Sequence, residues 1–140
     1  MKTTLMSLPD LTLPDGHMEV TAVTYRRREC HLEFRLGEKQ YLLVFPDTVA
    51  FRVMDEKELT EFYSKNVEYS LFIQGSVVFR VEAGGWRGQN AHLDSGIKDG
   101  YFVNGKVAEY VVPSDYECLN IISAAPELKE ITHDTLSVGR

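Results

Sequence analysis

The chain has 140 residues, 44% hydrophobic and 26% charged. That is long enough to bury a core without metal or disulfide staples and too apolar for general disorder. Its net charge of −6 argues against a nucleic-acid binder, which shows a basic stripe that releases counterions from phosphates. The one basic cluster, Arg26-Arg27-Arg28, is followed closely by Glu29 and Glu33 and reads as a solvated strand end.

One globular domain over 1–140 is expected, with residues 1–16 as a proline-containing N-terminal extension. Pro9 and Pro14 disfavour a regular helix or central strand there, and Pro14-Asp15-Gly16 reads as a turn into the first strand. Residues 18–26 are rich in β-formers. Residues 30–36 alternate, with Leu32, Phe34 and Leu36 on one face and Glu33 and Arg35 on the other, the pattern of a half-buried strand. Gly37–Gln40 turns the chain into Tyr41–Phe45, an apolar run expected to be a central strand. Pro46-Asp47 turns it again into Val49–Met54, and these short connections predict an antiparallel meander.

Asp55 as N-cap and Glu58 three residues later form a capping-box-like pattern. With Leu59, Phe62, Tyr63 and Val67 at helical spacing, they predict an amphipathic helix over 56–66 that packs on the meander. Ser70–Ile73 and Val77–Glu82 are strand-like around Gln74-Gly75. Residues 83–105 hold six of the ten glycines and the single Trp, and read as a long functional or mobile loop. Val107–Val112 and Tyr116–Ile122 predict a hairpin across Pro113-Ser114-Asp115, and the tail from Pro126 is either a helical turn or an extended segment. The fold class expected is α+β: a mainly antiparallel, curled sheet of about seven strands, in one layer or two, with one short packed helix.

Chemistry-bearing patterns are sparse. His17, His31, His92 and His133 show no metal-site spacing, and Cys30 and Cys118 form no CxxC unit. Neighbouring Cys30 and His31 point to opposite faces of a strand. No metal and no cofactor is therefore expected, and both cysteines are expected to be reduced and partly buried. Ser95, in His92-Leu93-Asp94-Ser95-Gly96, lacks the strand–turn–helix setting of a nucleophile elbow. The glycines around Trp86-Arg87 match neither a P-loop nor a dinucleotide fingerprint. The N-terminus lacks the continuous apolar core of a signal peptide, and no run approaches the roughly 20 apolar residues of a membrane span. A cytoplasmic, non-enzymatic protein is expected.

Two surface candidates remain. Trp86 and Arg87 are of the residue types enriched at binding hot spots, against the alternative that Trp86 plugs one end of the sheet. The acidic carboxy-terminal third brings Glu109, Asp115 and Glu117 beside one hairpin as a candidate negative patch, against ordinary wet-face charge. The stretches YLLVFPDTVAFRVMDEKELTEFY (41–63) and KVAEYVVPSDYECLNIISAAPEL (106–128) resemble a recurring pattern in small bacterial proteins grouped with polymorphic-toxin immunity families. That resemblance implies a protein that binds and blocks a cognate toxin, and assigns no binding residue by position. The functional expectation is a protein-binding domain of immunity type whose carboxylates steer a basic partner. The alternative is a carrier or sensor of a small apolar ligand, with 83–105 as its lid. A homodimer through exposed strand edges is a further possibility.

Overall fold

The computed structural model describes residues 3–14, 16–55, 67–89, 106–114 and 117–131. Ten strands occur among them: β1 Thr3–Ser7, β2 Met18–Arg26, β3 Glu29–Leu36, β4 Lys39–Phe45, β5 Ala50–Asp55, β6 Val67–Leu71, β7 Phe79–Ala83, β8 Ala108–Pro113, β9 Glu117–Ser123 and β10 Glu127–Ile131. A five-residue helix, α1 Gly85–Gln89, lies between β7 and β8. The strands form a six-stranded sheet of order β5-β9-β8-β7-β1-β6 and a four-stranded sheet of order β10-β4-β3-β2. All pairings are antiparallel except that of β1 with β6.

The small sheet follows from local pattern. Cys30, Leu32 and Phe34 of β3 face inward together with Tyr41, Leu43 and Phe45 of β4, while His31, Glu33 and Arg35 face out. Two-residue turns join its first three strands. Gly37 provides the positive φ at the first position of the β3–β4 turn, as Gly-X hairpins require. An antiparallel meander is present, but as β2-β3-β4 in place of the expected succession of residues 30–36, 41–45 and 49–54, and Glu127–Ile131 of the tail are extended, as β10 beside β4.

The inward faces of the two sheets share one core. Leu32, Phe34, Leu43 and Phe45 of the small sheet meet Tyr110 and Val112 of β8 and Leu119 and Ile121 of β9. Each such aliphatic or aromatic side chain, fully buried, contributes about 1.5–3 kcal/mol. The large sheet is buried on its other face too: Leu5, Phe79, Val111 and Cys118 form a second cluster there. This explains why β9 reads as an almost unbroken apolar run rather than an alternating one.

Three expectations need correction. The chain over 1–16 is not all irregular: Thr3–Ser7 form β1, an interior strand, and the prolines fall after it. β5 does not continue the meander, because the segment from Pro46 to Val49, with Asp47 at φ 48°, carries the chain across to pair with β9. The strand total exceeds seven, since β1 was not foreseen as a strand and the extended tail pairs as β10; the two sheets are the two-layer form of the expected fold. The helix expected over 56–66 lies outside the described residues, and the helix that is described, α1, falls within the glycine-rich stretch. No helix among the described residues is long and apolar enough to cross a membrane.

Candidate functional site

Glu109 interrupts the apolar run of β8 and is 1% exposed. Its position on the strand turns the carboxylate to the face opposite the shared core, under the start of α1. There Oε2 accepts the Trp86 backbone N–H at 2.8 Å and Oε1 accepts the Arg87 N–H at 3.0 Å. Asn120 on β9 donates its Nδ2 to Oε2 at 3.4 Å, and Arg52 on β5 donates Nε to Asn120 Oδ1 at 3.1 Å. The Arg52 guanidinium carbon sits 4.8 Å from the centre of the Trp86 ring, a cation–π approach. Arg52 Nη2 is buried with no hydrogen-bond partner among the described residues.

The backbone that makes this possible needs glycine. Gly84 and Gly85 have φ of 75° and 67°, and a Cβ on Gly85 would lie 2.5 Å from Glu109 Oε2 and 2.7 Å from Val81 Cγ1. The Gly85 N–H donates to Thr3 Oγ1 at 3.1 Å, tying the turn to β1. Trp86 then packs, like Ala50, on the buried pair Val107 and Ile122.

Burial pushes the Glu109 carboxyl above the usual glutamate range. The hydrogen bonds from Arg87 and Trp86 and the charges of Arg52 and Arg87 oppose the shift without cancelling it. Beside this cluster an open cleft of about 230 Å3 is lined by Val81, Glu82, Gly84, Arg87 and Glu109, among others.

The structure therefore joins the two sequence candidates in a way that sequence spacing did not suggest. Trp86, Arg87 and Glu109 form one packed cluster, and Glu109 is its anchor. This corrects the expected negative patch: a buried carboxylate cannot serve as a surface charge. Glu117 is partly buried at the opposite end of the β8–β9 hairpin. Ile122 pairs with Glu109, and five residues separate it from Glu117, roughly 17 Å along a strand. Asp115 lies outside the described residues, as do His92, Asp94, Ser95, His133 and most of the 83–105 loop. A carboxylate alone in the run Val107–Val112 was the available signal that Glu109 is buried against a partner.

Elsewhere, His31 is partly exposed and meets Glu29 at 3.0 Å, whereas neighbouring Cys30 is wholly buried. The two cysteines are not in a disulfide and belong to clusters on opposite faces of the large sheet. No group of three or more His, Cys, Asp or Glu able to hold a metal ion occurs among the described residues.

A surface that sequence reasoning missed lies on β6, an edge of the large sheet. Tyr69, Leu71 and Phe72 are 48%, 41% and 61% exposed. The Tyr69 ring meets Phe72 edge-on at 5.1 Å and Phe79 at 5.6 Å. Glu68 on the same strand and Glu82 on β7 are exposed acids of this region.

Comparison with protein-family models, curated proteins and solved structures returns no match for this chain. Fold and site together define a two-sheet β protein in which a buried carboxylate clamps a glycine-rich turn.

Proposed function

We propose that the chain is a non-enzymatic protein-binding domain of immunity type, an inhibitor that docks a basic protein such as a toxin on its β6 edge. The observation that carries this reading is the exposed aromatic group Tyr69–Phe72 on an edge strand. Isolated exposed apolar residues are ordinary, but a contiguous ring cluster at a strand that is an edge among the described residues is the usual form of an interaction surface. Tyr69 and Phe72 supply large, stiff anchors. The net charge of −6, with Glu68 and Glu82 nearby, favours encounter with a positive partner. The sequence resemblance to immunity proteins is what points to a toxin as that partner.

The test is affinity capture from source-cell lysate with wild-type protein and Phe72→Ala as baits, eluted with rising salt. One stoichiometric basic protein, held by wild type, released by salt and lost with Phe72→Ala, supports the reading. Equal capture by both baits, or no basic protein at any salt, refutes it.

The carrier reading has one supporting observation, an open groove of about 530 Å3 lined by Pro14, Gly16, His17, Leu36 and Tyr41, among others. The space between the sheets is filled by fully buried side chains, so this reading places a small apolar ligand in that groove and not between the sheets. Tyr41→Ala, which removes a groove wall, should weaken binding of an apolar fluorescent probe if the groove is a ligand site. Unchanged probe binding would dispose of it.

A further inference from the structure

We propose that the tip of the β2–β3 hairpin is a second interaction surface, a rigid display of Arg26, Arg27 and Arg28 beside Tyr25 that takes a carboxylate-rich segment of a protein. The turn backbone is the first observation. Arg26 pairs with Glu29, so Arg27 and Arg28 are the two turn residues, and both are left-handed, with φ of 53° and 67°. Such a turn is most easily made by Asn-Gly, and the left-handed region is unfavourable for a residue that carries a side chain. Elsewhere among the described residues positive φ falls on Gly37, Gly75, Gly84 and Gly85 and, outside glycine, only on the single turn residue Asp47. The arginines therefore occupy positions that turn stability alone would give to other residues.

The second observation is that these charges meet no counter-charge among the described residues. All three arginines are exposed, and among the described residues the ion pairs involve Arg35, Lys39, Arg80, Lys129 and His31, never the tip. Adjacent Glu29 is taken by His31.

The third is preorganisation. The Arg28 carbonyl accepts the Thr48 N–H at 2.7 Å. The buried Thr48 hydroxyl donates to the Phe45 carbonyl at 2.7 Å and accepts the Cys30 N–H at 3.2 Å. The tip is thereby bolted to the crossover loop, and little ordering entropy is left to lose on binding.

Chemistry decides the class of partner. Tyr25 is 50% exposed and its ring lies 5.5 Å from that of Phe51, so an apolar, aromatic platform lies at the strand end that leads into the arginine turn. Arginine beside tyrosine is the composition of a protein hot spot. Removing three positive charges from −6 would leave −9, so an extended polyanion such as nucleic acid or an anionic membrane meets an acidic molecule beyond the tip. A short carboxylate segment stays within the ~8–10 Å over which the local charge is felt.

This surface is separate from the one on β6. Tyr25 touches β5, and β5 and β6 are opposite edges of the large sheet, five strand spacings or roughly 24 Å apart.

The experiment uses the full chain, the variant Arg27→Asn/Arg28→Gly and Phe72→Ala. The probes are a short labelled glutamate–tyrosine peptide and a single-stranded oligonucleotide of equal charge. Wild type and Phe72→Ala should bind the peptide alike, and the turn variant about tenfold more weakly or worse, since each lost pairing with a charged group is worth a factor of this order. The same variant should melt at a higher temperature, which separates lost binding from lost folding. Equal peptide binding by wild type and turn variant, no peptide binding by wild type, or tighter binding of the oligonucleotide would each overturn the proposal.

Discussion

Replacing Glu109 tests whether the buried clamp holds the Trp86 turn on the sheet. Glu109→Ala leaves the Trp86 and Arg87 N–H groups without their acceptors and removes the carboxylate opposite Arg52 and Asn120. Each buried donor left unmade costs about 1–3 kcal/mol, and breaking a buried charged pair on one side typically costs about 3–5 kcal/mol. A loss of about 3–5 kcal/mol is expected, a large share of the roughly 5–15 kcal/mol that holds a domain folded. Glu109→Gln keeps one acceptor and should lose about 1–2 kcal/mol.

The pH dependence adds a sign. Because burial raises the carboxyl's folded-state pKa, the folded state binds more protons than the unfolded one between the ordinary glutamate range and the raised value. Stability from this group is complete at acid pH and falls as pH rises through that window. The deficit of Glu109→Gln against wild type should therefore shrink from acid toward neutral pH. Urea unfolding followed by far-UV circular dichroism at several pH values measures both effects. Glu109→Ala within about 0.5 kcal/mol of wild type, the scatter of an ordinary surface substitution, would refute the clamp. A Glu109→Gln deficit that grows with pH would refute the electrostatic account.

Gly85→Ala puts a Cβ at φ 67° and into contact with the Glu109 carboxylate and Val81. It should destabilise by about 2 kcal/mol or more, and an unchanged melting temperature would contradict the close packing of that turn. Gly75→Ala should also destabilise, because its Cβ would collide with the Leu13 carbonyl at φ 85°. The same melt checks it. Burial pushes the Cys30 thiol up to about 11, and Cys118 is buried as well. Both should resist a thiol-reactive disulfide reagent at mildly alkaline pH and react at the rate of unfolding; immediate labelling of native protein would show an opening the fold does not predict.

Local pattern carried much of the fold. β2 begins and ends where its β-forming run does, and the alternation of Leu32 and Phe34 against Glu33 and Arg35 assigned the two faces of β3 correctly. The β8–β9 hairpin was legible from two apolar runs around Pro113-Ser114. β1 was not legible, because five residues ahead of two prolines hold no periodic signal. They become a strand only when β6 and β7 offer edges on either side. The candidate site divided in the same way: Trp86 and Glu109 stood out by type, yet nothing in their spacing said that one clamps the other's backbone.

What the sequence determined by itself is the β-rich class, the positions of most strands and, for β3, which side chains face inward. Burial of apolar surface is read residue by residue, and period-two alternation records it directly. Tertiary structure decided which strands are neighbours. β5 leaves Phe45's sheet to pair with β9, so that Arg52 reaches Asn120, 68 residues away, and Glu109 comes under Trp86. Backbone hydrogen bonds between strands are chemically alike for every pairing. The choice among partners therefore rests on how two whole sheets close over one core, a quantity that no local stretch of sequence contains.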